Sequence, residues 1–276
     1  MKKDVKRDNL KNNFLKNIIV RFDYTGISEV ELDSIIAKVK PIFKSDGYNS
    51  LKEEYLTEMD FQLQDPESIE LDGLPIKEIR KKSAYVFINE EKGIKCKLST
   101  QFAFVSIQSQ KYIAFSDYSK TLINVIKKLK AEVEFINCTR FGIRKVNQCI
   151  IKDISKLNQY FEEKFYSIYG LEKGNKPKLF ESKDCFIEDA YNVNLARMLV
   201  VGEYDGNVAY QVVLDSDIYI TNTEKINALL DNEENIVAMN ERLFELYKEA
   251  LTETFIEALG QEEYNDTNII GVERNE

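Results

Sequence analysis

Apolar positions along this chain switch between a period of two and a period near four, which predicts strands alternating with helices. Residues 17–24 alternate as a strand, and Gly26 breaks the run. Ser28, with Glu31 three residues on, forms a capping box that starts a helix. That helix places Val30, Ile35, Val39 and Ile42 near one face, closes on Phe43 and ends at Gly47. Residues 55–63 and 76–89 read as strands, with the turn-rich stretch 65–75 between them as a loop. Residues 94–98 follow the Glu90-Glu91-Lys92-Gly93 turn, and 102–107 is the clearest strand of this half. A helix capped by Asp117 or Ser119 comes next, with Leu122, Ile123, Val125, Ile126 and Leu129 inward.

The pattern then begins again. Arg21-Phe22 lies in the first strand, and Arg140-Phe141 lies in a strand expected over residues 135–151. Ile154, Leu157, Tyr160, Phe161 and Phe165 space out as a helix, and residues 170–177 form a polar loop. Strands are expected near 184–188, 192–204 and 208–214, with Asp205-Gly206-Asn207 as a hairpin turn. A long helix over 234–259 carries Ile236, Met239, Leu243, Leu246, Tyr247, Ala250, Phe255 and Leu259 in one stripe, stopped by Gly260. The expected fold is α+β: a tandem duplication of a βα(β)nα unit, with antiparallel sheet packed against long helices. The halves would be residues 17–134 and 135–260, preceded by a basic segment (1–16) and followed by an acidic tail (261–276). Two topologies fit, the saddle of TATA-binding-protein-like folds or a helix-grip wrap. Neither lends a DNA function. A duplication also points to the groove between halves as the site.

Composition narrows the chemistry. The chain has 276 residues, 43% hydrophobic and 31% charged, which suits a soluble globular protein. No apolar run is long enough to span a bilayer and no signal-peptide pattern is present, so a cytoplasmic protein without membrane contact is expected. There is no histidine, which excludes Ser-His-Asp triads, Cys-His dyads and H-E-x-x-H zinc sites. Catalysis would have to rest on carboxylates, lysines, tyrosines, cysteines or a metal held by oxygen ligands. Cys96, Cys138, Cys149 and Cys185 form no C-x-x-C pair and read as buried structural thiols, and no cofactor is expected. The net charge of −9 gathers toward the C-terminus, where Glu241, Glu245, Glu249, Glu253 and Glu257 recur every four residues. That row is a solvated face, or a rail for a basic partner such as another protomer's N-terminal segment. The charge balance argues against a duplex-DNA binder.

Two polar constellations remain. Asp215-x-Asp217 puts two carboxylates on one strand face, a spacing suited to a divalent cation, with Glu188 as a further oxygen ligand. Arg140 and Arg144 share a strand face and could clamp an anion, while Asn147 falls on the opposite face unless a bulge intervenes. An ion-pair network of these arginines with Asp215 and Asp217 unites both motifs without any ligand. The stretch Arg140-Phe141-Gly142-Ile143-Arg144-Lys145-Val146-Asn147 resembles the R-x-G-L-R-Y-x-N signature of a sporadically distributed prokaryotic family of unassigned function, with Lys145 where an aromatic is usual. Leu214-Asp215-Ser216-Asp217 resembles that family's late leucine-aspartate-x-aspartate stretch. The similarity spans most of residues 14–260 and implies architecture rather than an activity. The functional expectation is a non-enzymatic binding module for a protein partner, a second copy or a small anionic ligand. The alternative is a metal-dependent hydrolase or nucleotide-processing enzyme using Asp215 and Asp217.

Overall fold

The structure, a computed structural model, describes residues 2–61, 76–108, 115–189, 191–232 and 234–274. Its strands are β1 (Asn12–Asn13), β2 (Leu15–Thr25), β3 (Ser50–Phe61), β4 (Ile76–Asn89), β5 (Ile94–Leu98), β6 (Phe102–Gln108), β7 (Asn137–Ile151), β8 (Leu179–Glu188), β9 (Tyr191–Tyr204), β10 (Asn207–Ile220), β11 (Ile269–Ile270) and β12 (Glu273–Arg274). Its helices are α1 (Glu29–Ser45), α2 (Phe115–Glu132), α3 (Leu157–Tyr160), α4 (Thr223–Asp231), α5 (Glu234–Ala250) and α6 (Glu253–Leu259). The fold is mixed α+β, dominated by one large antiparallel sheet in the order β3-β4-β5-β6-β2-β7-β10-β9-β8, with β11 added against β7.

β2 and β7 lie side by side at the middle of that order, and their register brings the two Arg-Phe dipeptides together. Phe22 faces Phe141, Arg21 faces Gly142 and Asp23 faces Arg140. The two phenyl rings stand 4.5 Å apart. Strand alternation then sorts every neighbour onto one of two faces. Ile18, Val20, Phe22 and Tyr24 of β2, with Phe141 and Ile143 of β7, are buried with Leu32, Ile35 and Val39 of α1, Leu122 and Ile126 of α2, Leu229 of α4, and Met239 and Leu243 of α5. A second cluster closes around Phe14, whose ring lies 5.9 Å from Phe161, 5.3 Å from Tyr247 and 5.8 Å from Phe255.

Local signals are met where the backbone alone decides. Ser28 and Glu31 make the reciprocal capping box at the start of α1. Asp205 and Gly206 both take positive φ, 49° and 73°, as a two-residue hairpin turn requires. Gly26 has φ +89°, and a Cβ there would lie 2.0 Å from the Phe135 carbonyl oxygen, so only glycine lets this turn pass beneath the entry to β7. Cys96, Cys138 and Cys149 are buried thiols as expected, whereas Cys185 is exposed on edge strand β8.

Four local expectations are corrected. Val30 sits in the first turn of α1 and is 80% exposed, while Leu32 and Ile36 take the inner stripe. The helix expected through Phe165 stops after one turn at Tyr160, because Phe161 bridges to Leu251 instead. The same crossing breaks the closing helix. Glu162 N–H donates to the Ala250 carbonyl, and Thr252 N–H donates to the Tyr160 carbonyl. Thr252 then caps α6 as a separate helix, and Asn222 caps the unforeseen α4. α2 begins at Phe115, so Asp117 and Ser119 lie inside it rather than at its cap. The loop expected over 65–75 falls outside the described residues.

The basic N-terminal segment lies along the protein's own C-terminal helices. β1 pairs with β12, Lys11 N–H donates to the Leu259 carbonyl, and the Arg7 guanidinium donates to the Asn240 carbonyl. Arg7 also lies 3.5 Å from Glu241, and Lys248 donates to the Val5 carbonyl. The acidic helix therefore receives this chain's own N-terminus, in the place expected for another protomer's.

Phe14 ties that segment to the sheet. Phe14→Ala should lower unfolding stability by about 3–5 kcal/mol, read from urea denaturation, because its cavity opens among the rings of Phe161, Tyr247 and Phe255. A loss below about 1 kcal/mol would mean that the second cluster is not a packed core.

Candidate functional site

The helices leave one face of the sheet to solvent, and the polar residues of the central strands gather there. β2 contributes Arg21 and Asp23, β7 contributes Arg140, Gly142 and Arg144, and β10 contributes Asp215, Asp217 and Tyr219. Arg140 Nη2 donates to both carboxylate oxygens of Asp217, at 3.0 and 2.8 Å, and Nη1 lies 3.8 Å from Asp23. Its guanidinium carbon also sits 4.6 Å from the centre of the Tyr219 ring. Arg144 grips Asp215 in a forked pair, Nε at 2.9 and 3.1 Å and Nη2 at 2.5 Å. In register Arg144 stands opposite Asp217, so its bond to Asp215 runs along the diagonal. Arg21 Nε donates to Asp23 at 2.6 Å while its guanidinium lies 4.6 Å from the Phe102 ring centre.

Gly142 is the reason Arg140 can lie across the sheet. A Cβ at this position would be 2.9 Å from Arg140 Nη2 and 3.0 Å from Tyr219 Cβ. The glycine two residues after Arg140 is thus part of the ion pair's geometry.

The belt is only partly desolvated. Side-chain exposure is 25% for Arg140 and 16% for Asp217, against 49% for Arg144. Burial pushes the Asp217 carboxyl above its usual range, outweighing the opposing pull of Arg140. The hydrogen bond to Asp215 raises Arg144 further into its charged form. Two clefts flank the belt. One, of about 280 Å³, lies between Ile19, Arg21, Arg140 and Arg144, and the other, of about 250 Å³, lies between Arg144, Lys183, Asn194 and Asp215.

Of the residues singled out by sequence, Arg140, Arg144, Asp215 and Asp217 come together on this face. Asn147 does not join them. It lies on the helical face, as strand alternation requires, where its Nδ2 makes a long bond of 3.5 Å to the Leu214 carbonyl. Glu188 is bound instead to Arg242 of α5 at 2.8 Å. Among the described residues no group of three or more cysteines, aspartates and glutamates is placed to hold a metal ion. Arg21 and Asp23 escaped the sequence reading, although the repeated Arg-Phe dipeptide marked their strand.

The other residue missed is Lys145, which faces the helices between Arg144 and Val146. It is 7% exposed and makes no hydrogen bond or ion pair with any described residue. Burial, reinforced by Arg7 and only partly offset by Glu241, holds its amine well below the usual lysine range. It lines a pocket of about 60 Å³ together with Arg7, Asn147, Ser216, Phe244 and Tyr247.

No family model and no curated protein matches the chain. Among solved structures, the di-domain ARO/CYC StfQ from the steffimycin biosynthetic pathway covers 81% of this chain and 96% of its own, at 9% identity and a TM-score of 0.17. A superposition that loose carries no weight for fold or function. No helix among the described residues is long and apolar enough to cross a membrane.

The two ion pairs should differ in strength. A double-mutant cycle on Arg140→Ala and Asp217→Ala should give a coupling of about 1–2 kcal/mol in urea denaturation. The more exposed Arg144–Asp215 pair should give less than about 1 kcal/mol. Gly142→Ala should cost about 1–2 kcal/mol and erase most of the Arg140–Asp217 coupling, since the added methyl claims the guanidinium's place. Equal couplings for both pairs would refute the ranking by burial.

Proposed function

We propose that this protein is a non-enzymatic binding module whose helix-free sheet face docks a partner polypeptide, either a different protein or a second copy. We read the fold as a tandem duplication of a βα(β)nα unit with TATA-binding-protein-like topology. Three features support the duplication. The Arg-Phe dipeptides of the two halves meet in register, β6 and β10 each return beside the first strand of their own half, and helices follow both returns. The docking surface would lie where the halves join.

The observation that carries the reading is the charge-paired belt on an uncovered sheet face. Its arginines are half-buried, stacked on Tyr219 and Phe102, and already held in place by aspartates. A surface of preorganised, mixed-sign polar groups beside aromatic rings suits a polypeptide, because arginine and aromatic side chains carry much of the binding energy at protein interfaces. Duplex DNA fits less well. Asp23, Asp215 and Asp217 neutralise the arginines locally, and the chain as a whole carries −9.

The metal-dependent hydrolase reading needs Asp215 and Asp217 to release Arg144 and Arg140, and it needs a third ligand that Glu188 does not supply. A divalent cation would have to displace two arginine pairs before meeting any carboxylate.

The test is co-purification of tagged protein from its native host, alongside sedimentation of the protein alone. The native chain should retain a stoichiometric partner or self-associate, and Arg144→Glu with Arg140→Ala should lose that association while keeping the fold by circular dichroism. A monodisperse protein that never retains a partner would sink the reading. A Tm rise with Mg²⁺, Mn²⁺ or Ca²⁺ that disappears in Asp215→Ala would replace it with the metal-dependent one.

A further inference from the structure

On the helical face of the same strands a basic pocket stands without an acid in its lining. Lys145 and Ser216 come from the sheet, Leu243, Phe244 and Tyr247 from α5, and Arg7 and Leu10 from the N-terminal segment. Lys145 is 7% exposed as a residue, and its amine makes no hydrogen bond or ion pair among the described residues. The Tyr247 ring, packed 5.3 Å from that of Phe14, closes one wall of the pocket. Arg7 has its guanidinium 5.0 Å from the Phe244 ring centre. Glu241 is the neighbouring acid, and it reaches Arg7 at 3.5 Å from outside the pocket lining.

An amine buried without a counter-charge is costly, and native proteins rarely retain one without a use. The cost falls if a ligand supplies the missing anion. The rest of the lining limits what that ligand can be. Leu10, Leu15, Leu243 and Phe244 offer apolar wall, and about 60 Å³ is room for a few waters' worth of atoms. A small head with one negative charge and a short alkyl body fits both facts. A doubly charged phosphate would bring more desolvation cost into the same apolar walls. An outer cleft of about 400 Å³ between the N-terminal segment and α5 shares Arg7 and Phe244 with the pocket.

We propose that this pocket binds a short monocarboxylate, with the carboxylate between the Lys145 ammonium and the Arg7 guanidinium and the alkyl chain against Leu15, Leu243 and Phe244. Its site lies on the opposite side of the sheet from the charge-paired belt, so it stands or falls independently of the docking face. Because Arg7 comes from the N-terminal segment, occupancy also fastens that segment over α5.

Isothermal titration of the full-length protein with propionate and butyrate, at constant ionic strength, tests this. Butyramide, inorganic phosphate and sodium chloride serve as comparisons. Butyrate should bind saturably, and butyramide, the neutral isostere, should bind at least about tenfold more weakly, the loss of one charge-assisted contact. Lys145→Met should abolish butyrate binding. Arg7→Ala, which leaves the sheet and α5 side chains of the pocket unchanged, should weaken it by about tenfold, and it decides the matter should Lys145→Met fail to fold. The proposal is overturned if neither acid binds saturably, if butyramide binds as well as butyrate, if phosphate alone binds, or if both variants bind butyrate like the native chain. It is equally overturned if butyrate fails to bind while butanal is trapped on Lys145 by borohydride, which would make the lysine an imine-forming nucleophile.

Discussion

The antiparallel pairing of β2 with β7 is the constraint from which the rest of the molecule follows. Phe22 set against Phe141 fixes the register at the centre of the sheet, and period-two alternation carries that choice outward along both strands. One residue of slip would turn Phe22 to solvent and drive Arg21 into the helices. The cost of burying an unpaired guanidinium, together with the loss of a phenyl ring from the core, makes that alternative inaccessible. Gly26 protects the same pairing at its end by letting the turn pass under the carbonyl of Phe135.

That single register also divides the chemistry between two faces. On the helix-free side, positive and negative groups meet and neutralise one another beside water-accessible clefts, the more buried pair more strongly than the exposed one, and together hold a defined shape. On the helical side, Lys145 enters an apolar layer where no carboxylate bonds it and Glu241 offsets its burial only in part. Adjacent residues, Arg144 and Lys145, therefore sit in opposite electrostatic settings for a purely geometric reason. The first is satisfied within the protein, and the second is left for something outside it. The N-terminal segment completes the contrast by covering the lysine and bringing a second cation to it.

The fold was legible in sequence wherever local physics is strong. The Ser28–Glu31 capping box, the Asp205-Gly206 turn and strand β4 formed as the pattern predicts, because each depends on residues a few positions apart. The failures lie where a distant segment competes for the same backbone groups. The apolar spacing from Ile154 to Phe165 looks helical, yet Phe161 and Glu162 bond across to Ala250 and Leu251, and that crossing ends one helix and splits another. Val30 shows the milder form of the same limit, since a helix's first turn can sit beyond the edge of the core that its later turns cover.

For the candidate site the division is equally physical. By itself the sequence determined which residues share a strand face, so Arg140 and Arg144 were separable from Asn147 without coordinates. It also determined that no histidine chemistry exists here and that the chain carries excess acid. Which arginine holds which aspartate, that Glu188 belongs to Arg242, and that Lys145 is buried beside Arg7 of the N-terminal segment were decided only by tertiary structure. Strand alternation is set by bonds between neighbouring residues. Partnership and burial depend on the register of strands and on segments more than a hundred residues away, and no local pattern encodes either.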